Sequence, residues 1–562
     1  MYKELAQVRA ELTQPGQLFE IEEIEVAGVR VKAWKHAPAS LRDLWLQSAG
    51  HGDAEYLVYG DERWTYSEAH AEVKRIARWL VDNGVAPGDR VAIAMRNYPE
   101  WMLSYWAVVS VGAVAVGVNA WWVPEELAYG LNDSQPKVFI CDTERLQRLH
   151  AIDGEVPQMK VVVVRHEGEV PDGVTAYADA LQSPADLPEV SIDPEDDACI
   201  FYTSGTTGHP KGAQLTHRGC TNNVISSIFS NLSQAQALAR AAGAEPGAPE
   251  KNTVLLTTPL FHVTANNVLA QSNTMAGSKL VLMYKWDAGE ALRLVEREKV
   301  TALSGVPVMA REVLNHPDYA TTDTSSLKAL GGGGAPVQPD LVENIGSKSA
   351  AAPAQGFGMT ETCGLATGAL GAFLADRPES VGPVIPVFDV KCVDASGEAV
   401  PVGERGEVLL KGVQIIKGYL NRPEATAETI VDGWLHTGDI GYLDEDGFLY
   451  IVDRAKDMVL RGGENVYCAE VEAALFRHPQ VSEAAVFSVH DDKLVEDVGA
   501  AIYQAEGGAP EADELRQFCS QHLSAYKVPR YLWIMNEALP RNANGKFLKK
   551  QLRSELRVED AC

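Results

Sequence analysis

The sequence predicts an α/β protein: a large N-terminal domain of two α/β subdomains plus a small β-rich subdomain, and a small mobile α+β C-terminal domain. Apolar runs alternate with helical patterns through residues 1–190 and again from Thr253 to Leu330. Such runs are typical of strands in a parallel sheet that is covered on both faces. Short strands and turns follow from about Val381, and a chain of 562 residues is too long for one core.

The composition is that of an ordinary globular protein, with 46% hydrophobic and 22% charged residues. The net charge of −28 argues against binding to a nucleic-acid backbone, which requires a basic surface. The eight cysteines form no C-x-x-C pair, as is typical of reduced thiols in a cytoplasmic protein. The N-terminus lacks the apolar core of a signal peptide. We therefore expect a soluble, cytoplasmic protein without nucleic-acid partners, and the sequence leaves a homodimer open.

One uncharged stretch, from Trp101 to Pro124, is long enough to span a bilayer. Serine, glycine and asparagine residues interrupt it, however. A helix that begins near Pro99 and ends at Gly112, followed by a buried strand from Ala113 to Val118, explains it better. We therefore expect no integral membrane segment.

The first α/β subdomain is predicted from caps and apolar runs. Thr65 and Glu68 form a capping box ahead of a helical pattern. Buried strands are predicted at three apolar runs and at a fourth that leads into a glycine-rich loop. These runs are Val91–Met95, Val138–Cys141, Val161–Val164 and Cys199–Tyr202.

The glycine-rich loop, Tyr202 to Gly212, has the composition of a polyphosphate-binding loop. Its glycines let backbone N–H groups converge on an anion, its Ser and Thr residues add donors, and Lys211 adds a charge. The loop differs from a Walker loop because Lys211 is flanked by Pro210 and Gly212. A flexible surface loop is the alternative.

A second glycine cluster, Gly331–Gly334, leaves a bare backbone on which a flat group could lie, although a flexible turn is the alternative. Between the two clusters, residues 234–249 are predicted to form a surface helix and loop. The second α/β segment should contain three strands. Their predicted ranges are Val254–Thr257, Leu280–Met283 and Ala302–Val306.

The charged segment Asp453–Asp457 separates the β-rich subdomain from a last α+β unit, and its few apolar anchors suggest a hinge. We expect domains at 1–453 and 457–562, joined by a hinge at 454–456. The last unit should contain two helices and three strands. These are predicted at Ala469–Phe476, Ala484–Val489, Gly499–Tyr503, Ala512–Leu523 and Tyr531–Met535.

Eight segments in the same order resemble the adenylate-forming superfamily of acyl-CoA synthetases, peptide-synthetase adenylation domains and luciferases. The resemblance runs from about residue 40 to Arg557 and is closest to free-standing fatty-acid or aryl-acid CoA ligases. The segments are Tyr202–Gly212, Pro259–His262, Gly331–Pro336, Gly358–Glu361, Gly403–Gly406, Trp434–Asp439, Asp453–Asp457 and Pro540–Lys546.

The resemblance implies that a carboxylate attacks the α-phosphorus of ATP to give acyl-adenylate and pyrophosphate, and that CoA then displaces AMP. Lys546 would bridge the carboxylate and the α-phosphate, Thr360 would donate to that phosphate, and Glu361 would ligate Mg²⁺. His262 would border the acyl pocket, although a lone histidine after an apolar run is usually a core residue. Without the motifs, Lys546 and Glu361 would be solvated surface groups.

The resemblance also implies a nucleotide site and a CoA channel. Asp439 and Arg454 would bind the ribose, where the alternative is a surface ion pair; Phe357 would be the aromatic wall where many relatives have tyrosine. The residues assigned to ATP or CoA are Thr203, Ser204, Gly205, Thr206, Thr207, Lys211, Gly333, Gly334, Ala335, Pro336, Gln355, Gly356, Phe357, Gly358, Met359, Asp439, Arg454, Lys456, Gly462 and Gly463.

For the second half-reaction the resemblance implies a rotation about Lys456. That rotation would withdraw Lys546 and bring Gly462 and Gly463 to the active site to line the pantetheine channel. Cys468 stands where many relatives have proline, and we expect it to be structural rather than reactive.

The acid is predicted from the acyl-pocket walls that the resemblance implies, His262–Asn267, Ser304–Met309 and Gly331–Ala335, which are small or apolar. No cation is placed for a second carboxylate and no polar group for an α-amine. No carrier segment follows Lys546, so soluble CoA is the expected acceptor. We expect a medium- or long-chain fatty acid and a role in fatty acid metabolism; the alternatives are an aryl or arylalkanoic (cinnamate-like) acid and an inactive nucleotide-binding homologue.

Overall fold

The computed structural model describes residues 1–203, 209–245, 247, 251–334, 337–462, 464–491, 493–504, 508, 510–542 and 545–562. The predicted α/β class is confirmed: two large sheets and a β-rich sheet precede a smaller α+β unit. A helix and a β-hairpin at the N-terminus pack beside them, at Tyr2–Leu12, Ile21–Val26 and Val29–Trp34.

The first large sheet carries the glycine-rich loop. Its strands from Asp197–Thr203 to the Val174–Ala176 edge are parallel, and Lys211–Thr216 turns back antiparallel on Asp197–Thr203. In spatial order the strands are Gly418–Tyr419, Lys211–Thr216, Asp197–Thr203, Val114–Gly117, Arg90–Ala94, Val138–Asp142, Lys160–Val164 and Val174–Ala176.

The second large sheet has a parallel centre with one antiparallel strand at each edge. The glycine cluster is part of this centre, because Gly331–Gly333 end a strand instead of forming a turn. In spatial order the strands are Gly364–Leu370, Ala352–Met359, Ala329–Gly333, Ala302–Gly305, Thr253–Leu256, Lys279–Leu282, Glu55–Tyr59 and Glu62–Thr65.

The β-rich sheet is antiparallel throughout, and the predicted change of texture after Val381 is therefore confirmed. It pairs Asp439 with Arg454 on neighbouring strands. In spatial order the strands are Gly382–Pro383, Phe448–Arg454, Trp434–Leu443, Gly406–Gly412 and Phe388–Val393, with Ile430–Val431 paired to Trp434–Leu443.

The C-terminal unit begins after the turn at residues 455–457 and has its own buried core. Its last strand, Tyr531–Met535, coincides with the predicted range. In spatial order the strands are Glu464–Val466, Val459–Arg461, Val495–Gln504 and Val481–Asp491, with Tyr531–Met535 paired parallel to Val495–Gln504.

Helices cover the sheets, and most begin at a cap or proline that the sequence shows. The Thr65–Glu68 capping box opens Tyr66–Asp82 as predicted. The other α-helices are Leu41–Ser48, Pro99–Ser110, Pro124–Ser134, Thr143–His150, Tyr177–Ala180, His217–Ala241, Ser272–Met275, Ala288–Glu298, Pro307–Asn315, Pro339–Lys348, Ala372–Asp376, Pro423–Thr429, Cys468–Phe476, Ala512–Ser520 and Lys549–Glu555.

The uncharged stretch after Pro99 forms the core shared by the two large sheets. Pro99–Ser110 is buried along its length and packs with residues of both sheets, including Ile93 and Leu256. None of the helices in the described ranges is both long and apolar enough to cross a membrane.

The helix predicted within residues 234–249 is the end of a longer one. Residues 234–241 end the helix His217–Ala241, which is buried at most positions up to Ala237 and whose earlier part the sequence does not predict. Its buried face is largely polar, with Asn222, Asn223 and Ser226 among the buried side chains. That polarity hid the helix from a search for apolar periodicity.

Candidate active site

The glycine-rich loop closes a β-hairpin. Thr203 and Lys211 are opposite each other on the two strands that flank this loop, and Thr203 Oγ1 donates to the Lys211 carbonyl at 3.4 Å. Ser204, Gly205, Thr206 and Thr207 lie outside the described residues, so their predicted phosphate contacts stay predictions. The hairpin brings Lys211 to the carboxyl end of a sheet strand, where α/β sheets hold ligands.

The return leg of this loop is anchored on the helix Pro124–Ser134. The His209 ring stacks on Tyr129 with centroids 4.6 Å apart, and the Tyr129 hydroxyl donates to the Pro210 carbonyl at 2.9 Å. On the entry leg, the Tyr202 hydroxyl donates to Asp133 at 2.9 Å. Both legs are therefore anchored on Tyr129 and Asp133 of a helix that lies outside the motif.

Glu361 is joined to Lys211 through one aromatic side chain. The Tyr419 hydroxyl donates to Glu361 Oε1 at 2.7 Å, and Lys211 Nζ lies 4.1 Å from the centroid of the same ring. Glu361 is buried with Thr360 in a short 3₁₀ turn that follows the strand Ala352–Met359. A lysine and a carboxylate from separate motifs thus converge on Tyr419. Among the described residues no group of three or more His, Cys, Asp or Glu side chains could form a metal site by itself.

The neighbouring strands leave no room for side chains on the glycine strand. A Cβ at Gly332 would lie 1.8 Å from the Gly305 carbonyl oxygen, and one at Gly333 would lie 2.7 Å from that of Gly356. Beside Gly332, the amide oxygen of Gln355 is buried and has no hydrogen-bond partner among the described residues. An unpartnered acceptor beside a bare strand suits a flat ligand that carries an N–H donor. Ala335 and Pro336 lie outside the described residues.

Asp439 and Arg454 form an ion pair, with Arg454 Nε 3.0 Å from Asp439 Oδ1. Asp439 is 4% exposed, whereas Arg454 is open to solvent. Burial raises the pKa of Asp439, while the nearby Arg454 and Lys546 act in the opposite direction. The ion pair that the sequence alone could explain as a surface contact therefore has a buried carboxylate.

Lys546 enters the cleft beside this ion pair from the C-terminal unit. Its Cε lies 3.9 Å from the position of a Cβ at Gly334, and a Cβ at Gly545 would lie 2.8 Å from Val306. Lys546 is still accessible to solvent. Desolvation by the surrounding residues lowers its pKa, and the positive charge of Arg454 lowers it further. Asp439 and Glu361 oppose that shift. Lys546 therefore lies within electrostatic reach of both predicted acidic residues.

His262 is near Lys546 as well. Desolvation and the Lys546 charge lower the pKa of His262 to about 3, so its imidazole is neutral at physiological pH. Its Nδ1 accepts from the Thr264 amide at 3.3 Å at the start of a π-helix, Thr264–Gln271. A neutral imidazole can border a carboxylate as a hydrogen-bonding wall, and π-helical turns are frequent at functional sites.

The junction between the units is fixed by a buried carboxylate. Asp453 accepts from the backbone amides of Arg454 and Cys468, and burial raises its pKa to about 6. The Cys468 thiol donates to the Asp457 carbonyl at 2.9 Å, and burial raises its pKa well above the usual range, which agrees with a structural thiol. Lys456 lies in the exposed turn that follows.

The predicted CoA-channel glycine Gly462 directly follows the strand Val459–Arg461 of the C-terminal sheet. It has a φ of +58° and its amide donates to the Leu494 carbonyl at 2.8 Å. Gly463 lies outside the described residues.

Two family profiles match the chain. The profile described as AMP-binding enzyme covers residues 44–420, and that of the AMP-binding enzyme C-terminal domain covers residues 470–546. The chain belongs to the AMP-binding enzyme family. The predicted resemblance is confirmed, and with it the predicted enzyme class, an AMP-forming acid–CoA ligase.

Relatives of this AMP-binding enzyme differ in the acids that their names state. A feruloyl-CoA synthase of Amycolatopsis sp is 37% identical over 504 residues, 89% of this chain and 95% of the relative. A long-chain-fatty-acid–CoA ligase of Mycobacterium tuberculosis is 35% identical over 498 residues, 88% and 93% of the two chains. The solved structure of an anthranilate CoA ligase with anthranoyl-AMP superposes with a TM-score of 0.83 at 26% identity, covering 92% of this chain and 97% of that chain.

Proposed function

We propose that this AMP-binding enzyme joins a hydrophobic monocarboxylate, with a medium- or long-chain fatty acid favoured, to CoA through an acyl-adenylate. The observation that carries the adenylation step is that Lys546 lies beside Gly334 and within electrostatic reach of both Asp439 and Glu361. Three motifs far apart in sequence thereby meet where a carboxylate and a triphosphate would react. Cytoplasmic activity is part of the proposal and is supported by eight free cysteines.

Each residue has a proposed task in adenylation. Lys546 offsets the negative charge that develops between the acid and the α-phosphate, and Thr360 donates to that phosphate. Asp439 accepts from the ribose hydroxyls, and Arg454 holds the carboxylate in place. The bare backbone at Gly333 and Gly334, with Gln355, Gly356, Phe357, Gly358 and Met359, forms the adenine wall.

Glu361 would hold Mg²⁺, which supplies charge neutralisation at the phosphates. The donor set fits, because Mg²⁺ in phosphate sites commonly takes one or two carboxylates and fills its other positions with phosphate and water. Tyr419 orients the carboxylate through its hydrogen bond to Oε1, and Lys211 lies over the same ring. Tyr419 is therefore a positioning residue.

Tyr419→Phe should raise the Mg²⁺ concentration for half-maximal pyrophosphate exchange roughly tenfold, because one charge-assisted hydrogen bond to the carboxylate is lost. The ring that contacts Lys211 remains, so the ATP requirement at saturating Mg²⁺ should change little. Tyr442→Phe, on a tyrosine that stacks on Tyr450 in the β-rich sheet, is the matched control. An unchanged Mg²⁺ dependence in Tyr419→Phe would contradict the positioning role.

The acid is proposed from the side chains near His262. Val263, Val306 and Met309 are buried and apolar, and the π-helix segment Thr264–Gln271 carries no charge. These walls suit an alkyl chain and give no partner to a second carboxylate or an α-amine. An aryl or arylalkanoic acid is the second candidate, which the identity to a feruloyl-CoA synthase and the bare glycine strand favour.

An acid panel tests the proposal by carboxylate-dependent ATP–pyrophosphate exchange. Straight-chain acids of increasing length should give the highest kcat/KM, followed by cinnamic acids, with dicarboxylates and amino acids well below. A preference for cinnamic acids would replace the first candidate with the second. Failure of every acid to support exchange would overturn the ligase function and favour a nucleotide-binding homologue without activity.

We also propose a hinge at 454–456, with a rotation of the unit 457–562 that replaces Lys546 by the Gly462–Gly463 segment. The supporting observation is that the junction is a short exposed turn at residues 455–457. The rotation would have to break the hydrogen bond from the Cys468 amide to Asp453, which crosses this junction.

A further inference from the structure

The helix Cys468–Phe476 of the C-terminal unit is capped by a side chain from the other side of the predicted hinge. Its N-cap residue is Tyr467, whose own side chain accepts from none of the described amides of the first turn. The Cys468 amide, the first of the helix, donates to the Asp453 carboxylate instead. A carboxylate stabilises this end of a helix, because it accepts from the unpaired amides and faces the positive end of the dipole. The C-terminal unit therefore depends on the large domain for this cap.

Asp453 is fixed in the large domain. It lies in the strand Phe448–Arg454 of the β-rich sheet and is 8% exposed. Its Oδ1 accepts from the Arg454 amide at 2.7 Å, and its Oδ2 accepts from the Cys468 amide. Hydrogen bonds to an ionised acceptor are about twice as strong as neutral ones. One carboxylate therefore joins the backbone of the proposed ribose arginine to a helix of the other unit.

Charged side chains of the C-terminal unit face Asp453 as well. Burial raises the pKa of Asp453 to about 6, Lys549 acts against this shift, and Glu472 adds to it. Lys549 Nζ lies 2.8 Å from Glu472 Oε1, so the effects of these two charges on Asp453 largely offset each other. At physiological pH Asp453 is therefore ionised, and its carboxylate can only accept hydrogen bonds.

The capped helix is bound firmly to the rest of its unit. Glu472 on this helix accepts from the Val486 amide at 2.8 Å and pairs with Lys549. Val486 belongs to the strand Val481–Asp491, and Lys549 begins the helix Lys549–Glu555. Buried apolar side chains of the capped helix and of this strand also form one core. We therefore expect the capped helix to move together with the whole unit.

The loop that carries Lys546 is bound to the same strand. Glu483 on the strand Val481–Asp491 accepts from Arg541 Nη2 at 2.8 Å. Arg541 Nη1 in turn donates to the Gly545 carbonyl at 2.8 Å, and Gly545 is the residue before Lys546. The contacts from the capped helix to this loop are thus continuous. The orientation of the helix therefore determines where Lys546 lies.

We propose that Asp453 is a positioning residue for adenylation, because its cap on the helix Cys468–Phe476 holds the C-terminal unit in the orientation that brings Lys546 into the cleft. This inference rests on the proposed rotation. In that rotation Asp453 stays with the large domain and Cys468 moves away, so the cap is present in only one of the two half-reactions. The bond from the Cys468 thiol to the Asp457 carbonyl lies beyond the hinge and persists in both.

Cys468→Pro tests the cap, because proline has no amide hydrogen. The helix should accept proline at its first position, since the preceding Tyr467 has φ −84° and ψ +119°, the extended backbone that a following proline requires. Cys468→Ala is the matched control, because it removes the thiol and keeps the amide. Asp453→Asn is a second variant that leaves the helix unchanged and has one acceptor oxygen for the two amides.

We expect Cys468→Pro to lower the ratio of two rates about tenfold or more, compared with Cys468→Ala. The rates are pyrophosphate exchange and thioester formation from supplied acyl-adenylate and CoA, each at saturating substrate. Each rate is proportional to the population of its orientation, and the lost hydrogen bond to a charged group stabilises only the orientation for adenylation. Asp453→Asn should lower the same ratio, whereas a merely structural defect would slow both half-reactions equally.

The ratio in Cys468→Pro decides the inference, and thermal unfolding of the full-length variants shows whether they are folded. The same ratio in Cys468→Pro and Cys468→Ala would overturn the cap, even if the native enzyme is an active ligase. If Cys468→Pro does not fold, the ratio in Asp453→Asn decides in its place, and a ratio equal to that of the native enzyme would overturn the cap. Absence of exchange in the native enzyme would instead overturn the proposed function.

Discussion

Lys546→Ala is expected to slow acyl-adenylate formation about a hundredfold to a thousandfold, the cost of removing one preorganised donor from a developing negative charge. The Lys546 side chain lies against Gly334. Its charge acts on Asp439, Glu361 and His262. The measurement is ATP–pyrophosphate exchange at saturating acid.

The same variant should form thioester from supplied acyl-adenylate and CoA at a rate close to that of the native enzyme. In the proposed rotation Lys546 leaves the cleft before the thiol attacks, so its loss cannot slow that step. Lys550→Ala is the matched control, because Lys550 is an exposed lysine on the following helix. Equal losses in the two half-reactions would show that Lys546 serves both, and the division of labour would then be wrong.

The buried strands could be predicted closely because their signal is local. Val138–Cys141 and Tyr531–Met535 are continuous apolar runs, and the structure extends the first by one residue and leaves the second unchanged. The helix His217–Ala241 could not be predicted in the same way. Its buried asparagines and serines bond to partners far along the chain, as Asn223 does to the Asn267 carbonyl at 3.0 Å, and no local pattern encodes those contacts.

The residues of the candidate site also differ in whether a local pattern predicts them. Lys546, Asp439 and Glu361 were predicted because they belong to motifs, and their roles stay predictions that their convergence supports. Tyr419 was missed, since it belongs to none of the motifs. Its signal is a contact, a hydroxyl 2.7 Å from Glu361, which only the folded chain shows.

Asp439→Asn is expected to raise the KM for ATP about tenfold to a hundredfold. A carboxylate can accept from two ribose hydroxyls, whereas the asparagine amide has one oxygen, and hydrogen bonds to a charged group are the stronger ones. Asp389→Asn, on a half-exposed surface ion pair with Lys32, is the matched control and should leave the KM for ATP unchanged.

Asp439→Asn should also change the pH dependence of adenylation, and the sign follows from the charges around Lys546. The pKa of Lys546 already lies below the usual value because of burial and the charge of Arg454. Asp439 is one of two carboxylates that oppose this shift. The protonated amine is the active form, so activity falls as pH rises through that pKa. Removing Asp439 lowers the pKa further, and the alkaline limb of kcat for exchange should move to lower pH than in the native enzyme. If the alkaline limb of kcat does not move while the KM for ATP rises, Asp439 binds the ribose but does not affect the pKa of Lys546.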